Sequence, residues 1–336
     1  MKLFGLVFVF LLSSAAQQTT PKPVLASPEP TPPEPTPPVA WAANLPVYDH
    51  IVIVVEENKD YKQIINDPAA PYINSTLKAQ GASFTRMYAE EHHSEGNYLW
   101  LFSGSNQNVG YTDRLPTKCF ATSSLGEQLI RAGLSFKGYS EGLPAIGFDQ
   151  GTKGNYARKH VPWISFCKIP NGKTVADSSN LRFPEDFPAD YNSLPTVSFV
   201  IPNLIHDMHN GSPPFNIAAG DLWLKEHLDG YYNWAKDHNS LLIVTFDESG
   251  DAPLLGGLTD PTNANQDKRN QIATIFAGAH IKRGEYAEGK GMTHVSILRT
   301  LEAMYKLNKS GTQPQLALKA GIADDFVATD VFDVGP

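Results

Sequence analysis

Four short runs are apolar on nearly every successive residue: Ile51 to Val55, Val197 to Ile201, Leu241 to Phe246 and Ile272 to Ala277. A strand with one wet face alternates apolar and polar residues, so unbroken runs suit strands buried on both faces, as in a parallel sheet covered by helices. Helical spacing fills the stretches between them. Leu125, Leu129 and Ala132 recur at that spacing after Ser124, which with Glu127 forms a capping-box pattern. Leu224, Leu228, Tyr231 and Ala235 follow Gly220-Asp221, and Ile297, Leu298, Leu301 and Tyr305 follow His294. Strands alternating with helices predict an α/β fold with a largely parallel central sheet and helices on both faces.

Open α/β sheets bind ligands beyond the carboxyl ends of their strands, and three of these ends carry chemistry. Ile51 to Val55 runs into Glu56-Glu57-Asn58. Val197 to Ile201 leads to His206-Asp207-Met208-His209, and Leu241 to Phe246 ends on Asp247-Glu248. Carboxylates leaving a buried strand are costly to desolvate unless a cation or hydrogen bonds compensate, which points to a divalent metal. Glu57 and Asn58 are adjacent and can reach one ion from a turn. The same tripeptide would also serve as a solvated loop start or a helix cap. Asp207 and His209 would share a face in extended structure, His206 and His209 in a helical turn.

A second cluster, His92-His93-Ser94-Glu95-Gly96-Asn97-Tyr98, holds imidazoles, a hydroxyl and a carboxamide. Phosphoester hydrolysis needs a nucleophile that can be deprotonated and a neutral donor for a phosphoryl oxygen. Ser94 and Asn97 suit those roles. If Ser94 begins a helix, the two lie one turn apart at the end that favours phosphate. A helix cap at Ser94 would explain the serine equally simply.

Lys2, the apolar stretch Leu3 to Leu12 and the small residues Ser14-Ala15-Ala16 predict an export signal over residues 1–16. The apolar stretch is shorter than the roughly 20 residues a spanning helix needs, so no stable membrane span is expected. Residues 17–45, with Pro28-Glu29-Pro30-Thr31-Pro32-Pro33 nearly repeated from Pro33, read as a polyproline spacer. Residues 46–336 form one catalytic domain, with a secreted or periplasmic location. In that compartment two cysteines, Cys119 and Cys167, predict a disulfide. A net charge of -8 argues against a general nucleic-acid binder.

In order and spacing, HIVIVVEEN from His50, HHSEGNYLWLFSGS from His92, YARKH from Tyr156, PNLIHDMH from Pro202, GDLWL from Gly220, TFDE from Thr245, NQIATIFAG from Asn270 and THVSILRTLE from Thr293 resemble one family. It is the phosphoesterase family of bacterial acid phosphatases and phospholipases C, within the alkaline phosphatase superfamily. The resemblance implies an alkaline-phosphatase-like fold, a divalent metal and a phosphoserine intermediate. It places Glu57, Asn58, Ser94, Asp207, Asp247 and Glu248 at the metal, with Ser94 as nucleophile and Asn97 on the phosphate. His209 and His294 are the implied catalytic imidazoles, with His93 and His206 as further candidates for the general acid. Lys159, His160 and His206 are expected on the substrate. Where many relatives have an apolar residue and a proline after the serine, this chain has Glu95 and Gly96, which affects the pocket more than the nucleophile.

The expected activity is that of an acid phosphatase on a small phosphorylated substrate, including a phospholipid headgroup. A phospholipase C-type phosphodiesterase or a phosphoinositide phosphatase would share the scaffold. A secreted metal-containing binding protein would share the site but turn over no ester.

Overall fold

The computed structural model describes residues 40–41, 44–250, 257–263, 269–287 and 289–334. The expected export signal and most of the expected spacer lie outside the described residues. Trp41, at the end of that spacer, donates its indole N–H to Leu307 O at 2.7 Å, so the folded domain reaches back at least that far.

Eight strands form the main sheet: β1 (His50–Glu56), β2 (Ala82–Phe84), β5 (Phe136–Glu141), β6 (Asn180–Phe183), β7 (Val197–Ile201), β8 (Ser240–Phe246), β10 (Thr274–Gly278) and β11 (Gly284–Tyr286). Their spatial order is β11-β2-β10-β8-β1-β7-β5-β6. Every pair is parallel except those of β10, which runs antiparallel to both β8 and β2. The apolar run at Ile272 thus becomes an antiparallel strand beginning two residues later. Small two-stranded pairs join β3 (Met87–Tyr88) to β12 (Met292–Thr293), and β4 (Glu91–His92) to β9 (Gly257–Leu258).

In β7 and β8 every residue is buried, as is β1 after His50. Because successive side chains point to opposite faces, both faces of the sheet are covered. Among the described residues six α-helices form, α1 (Tyr61–Ile64), α2 (Ser94–Ser103), α3 (Leu125–Arg131), α4 (Phe215–Ala235), α5 (His294–Met304) and α6 (Gln315–Lys319), of which α3, α4 and α5 arise where the spacing predicts them. Ser124 Oγ accepts from Glu127 N at 3.4 Å as the cap of α3, and Thr293 closes a capping box on α5. Cys119 and Cys167 are disulfide-bonded, with Cα atoms 5.0 Å apart. Among the described residues no helix is long and apolar enough to cross a membrane.

Register brings three acidic strand ends together. Glu56 pairs with Phe246 and Val54 with Val200, so β8, β1 and β7 end at one edge of the sheet. The hydrogen bonding continues past the strands: Asp247 N donates to Glu56 O at 2.9 Å and Glu57 N to Asp207 O at 2.6 Å.

Candidate active site

Those two bonds bring Glu57, Asp207 and Asp247 to one spot, each side chain essentially inaccessible to solvent. Asn58 comes next, its backbone N–H donating to Asp247 Oδ1 at 3.0 Å. His160 enters between the acids on the short turn Arg158–His160, its ring stacked on Tyr98 at 4.8 Å between centroids. Its Nε2 stands 3.0 Å from Glu57 Oε1 and its Nδ1 3.7 Å from Asp207 Oδ2. The residue expected on the substrate therefore sits among the strand-end carboxylates. His209 approaches the same glutamate from the solvent side, Nε2 3.6 Å from Oε2.

Burial works to raise all three acids. At Glu57 it is outweighed by His160 and Lys159, which hold the carboxyl well below its usual range. At Asp207 and Asp247 burial wins, reinforced by the charge of Glu57, and both are pushed well up. Such a cluster wants a cation. Glu57 Oε2, Asp207 Oδ2 and Asp247 Oδ2 are buried without a hydrogen bond among the described residues, and Glu57 Oε1 has the His160 ring beside it. Orphaned hard oxygen donors at three strand ends fit a divalent metal ion, although no three His, Cys, Asp or Glu groups among the described residues already stand in ligation geometry.

Ser94 is the first residue of α2, preceded by His93 at φ 77°. Its hydroxyl donates to Glu248 Oε1 at 3.3 Å, while Glu248 Oε2 lies 2.6 Å from His92 Nδ1. On the other side Lys159 Nζ is 3.4 Å from Ser94 Oγ and 2.9 Å from Asp113 Oδ2. Burial opposes the Lys159 charge, but Glu57 and Asp113 outweigh it and hold the ammonium above its ordinary pKa. The serine is thus held between a carboxylate that can take its proton and a cation.

Other expected residues are engaged elsewhere. Asn97 accepts from Glu91 N at 3.0 Å and donates one amide proton to Glu91 O at 2.7 Å. This braces the approach to α2 and leaves one Nδ2 proton for another acceptor. His294 has both ring nitrogens taken, Nδ1 at 2.6 Å from Glu90 Oε2 and Nε2 at 2.8 Å from Phe246 O. It ties α5 to the end of β8 and offers no nitrogen to a metal or phosphate. His206 pairs with Glu141 at 2.8 Å. His93 lies only 3.9 Å from Asp113.

Sequence reasoning missed three contributors. His92 holds Glu248, and its buried Nε2 has no partner among the described residues. Asp113 holds Lys159 from a loop with no periodic signal. Asn270, the first residue of NQIATIFAG, accepts from Ser249 N at 2.6 Å and donates to Glu91 O at 2.8 Å. It clips the turn after Glu248 to the strand before Ser94. The unusual Gly96 also has a cause: a Cβ there would lie 1.3 Å from Glu91 Oε1. The buried Glu91 carboxyl occupies the space a side chain at position 96 would need.

Comparison with known proteins gives the family and the fold. Residues 65–308 match the phosphoesterase family. A phosphatidylinositol-3-phosphatase from Mycobacterium tuberculosis is 46% identical over 271 residues, covering 80% of this chain and 81% of the relative. A probable acid phosphatase from Kluyveromyces lactis is 30% identical over 281 residues, covering 79% of this chain and 60% of the relative. Among solved structures, an alkaline phosphatase superfamily protein from Vibrio parahaemolyticus shares the fold, with a TM-score of 0.53 at 11% identity over 83% of this chain and 69% of that one. The chain belongs to the phosphoesterase family, and its reaction is the hydrolysis of phosphoric ester bonds.

Proposed function

We propose that the chain is an exported, metal-dependent phosphomonoesterase of the acid phosphatase type, working through a phosphoserine on Ser94. The observation that carries this reading is the placement of Ser94 Oγ between Glu248 Oε1 at 3.3 Å and Lys159 Nζ at 3.4 Å, at the amino end of a buried helix. A serine that served only as a cap would need neither neighbour.

Glu57, Asp207 and Asp247 would hold the divalent ion, with Asn58, Glu248 and Ser94 at its edge. When bound, it supplies the positive charge that favours an ionised serine and a polarised phosphoryl group. Glu248 takes the proton of Ser94, oriented through its second oxygen by His92. Lys159 and the remaining amide proton of Asn97 bind phosphoryl oxygens, and the dipole of α2 favours the same negative charge. His209, with its side chain 35% exposed beside Glu57, is the imidazole placed to protonate a departing alcohol. Water then releases phosphate by the reverse sequence of proton transfers.

The 46% identical relative named phosphatidylinositol-3-phosphatase favours a phosphoinositide headgroup as the phosphomonoester. Acid-quenched turnover of an aryl phosphomonoester, with peptide mass spectrometry of the product, should place phosphate on Ser94. Phosphate on another residue, or none during steady turnover, overturns the covalent route. A binding protein without turnover is overturned by hydrolysis that Ser94→Ala abolishes.

A further inference from the structure

We propose that Asp113 is a positioning residue for substrate recognition, setting the Lys159 ammonium against Ser94 so that it meets the phosphoryl group. The inference deepens the reading of the Ser94 site and rests on it.

Lys159 has two acidic surroundings to choose between. The strand-end acids Glu57 and Asp247 attract its charge, and so does Asp113. The bond to Asp113 Oδ2 at 2.9 Å keeps the ammonium within 3.4 Å of Ser94 Oγ. A lone surface ion pair would be too weak to matter, but Asp113 is also fixed to the nucleophile helix. Its Oδ1 accepts from Glu95 N, one residue after Ser94, at 2.9 Å. One carboxylate therefore sets the distance between the helix that carries the nucleophile and the cation that faces it.

The loop is anchored for this task. Cys119, six residues after Asp113, is bonded to Cys167 in the segment beyond Lys159. Phe120 N donates to Ser165 O at 2.7 Å and Cys167 N to Phe120 O at 3.0 Å. The segments carrying Asp113 and Lys159 are thus fastened to each other independently of the ion pair.

Steady-state kinetics on an aryl phosphomonoester, with inhibition by inorganic phosphate and a thermal melt for each protein, tests the proposal on wild type, Asp113→Asn, Lys159→Met and the double variant. Asp113→Asn keeps an acceptor for Glu95 N but loses the negative charge that pairs with Lys159. KM and the phosphate inhibition constant should rise about tenfold, as for loss of a charged hydrogen bond, with kcat changed much less. The double variant should match Lys159→Met within about twofold, because Asp113 acts through that lysine. Unchanged KM in Asp113→Asn, or multiplied losses in the double variant, overturns the proposal. So does failure of Asp113→Asn to fold while Lys159→Met folds, which would make the aspartate structural. The phosphoserine trap in wild type reports separately on Ser94, so the two readings fail by different results.

Discussion

Replacing Gly96 by Ala tests the most unusual packing in the site. The new methyl carbon would lie 1.3 Å from Glu91 Oε1 and 2.4 Å from Glu91 Cδ, so the carboxyl must leave. It has little freedom to do so, being buried and accepting from Asn106 Nδ2 at 2.9 Å. Overpacking of this kind costs about 1–3 kcal/mol, and giving up the Asn106 bond adds about 1 kcal/mol. Alanine returns up to about 1 kcal/mol over glycine in a helix. The balance is a loss of about 2 kcal/mol, or roughly 3 °C in Tm for a domain of this size. In a Glu91→Ala background the clash disappears and only the helical gain remains, so Gly96→Ala should there be neutral or mildly stabilising. Thermal melts of the four proteins read the coupling, expected at about 2–3 kcal/mol. A Gly96→Ala protein that melts at or above wild type, with Glu91 intact, would refute the packing.

The Glu91 carboxyl, pushed by burial from 4.5 up to about 8, gives a pH test with a definite sign. The folded chain holds this proton where the unfolded chain has lost it, so the stability it contributes is full below about pH 4.5 and is lost as pH rises towards 8; Glu91→Gln should flatten that decline in Tm. Exhaustive chelation should abolish turnover, and restoring a divalent ion should recover it with a rise in Tm, because Glu57, Asp207 and Asp247 share one buried site; full activity in protein shown metal-free by elemental analysis would count against the ion. Opening the Cys119–Cys167 bond, which spans a sequence separation of 48, removes a restraint of about 4 kcal/mol in the chain-entropy view, so a Cys119→Ser/Cys167→Ser protein should melt lower. It should also show a raised KM, since the Asp113 loop loses its anchor.

What could be read from the chain alone divides along a physical line. Periodicity is local, so the buried strands, their acidic ends and the helices after Ser124, Gly220 and His294 are legible in the chain alone, while a helix beginning at Ser94 is one of two readings there. The disulfide was legible because two cysteines offer one pairing. The partners of individual side chains were not, because they depend on which segments meet. His294 and Asn97 show why. The Glu90 carboxylate takes up the His294 ring, and the Glu91 backbone takes up all of the Asn97 carboxamide except one Nδ2 proton. A buried carboxylate or peptide group must find a partner, and satisfying it takes precedence over keeping a side chain free for substrate. The short EEHHSEGN segment therefore supplies both the nucleophile and the residues that compete for its expected helpers. Lys159 is the converse case, a cation that stays beside Ser94 because Asp113, remote in sequence, balances the pull of Glu57 and Asp247. A motif fixes which groups arrive at the strand ends; the surrounding acids decide which of them remain available for chemistry.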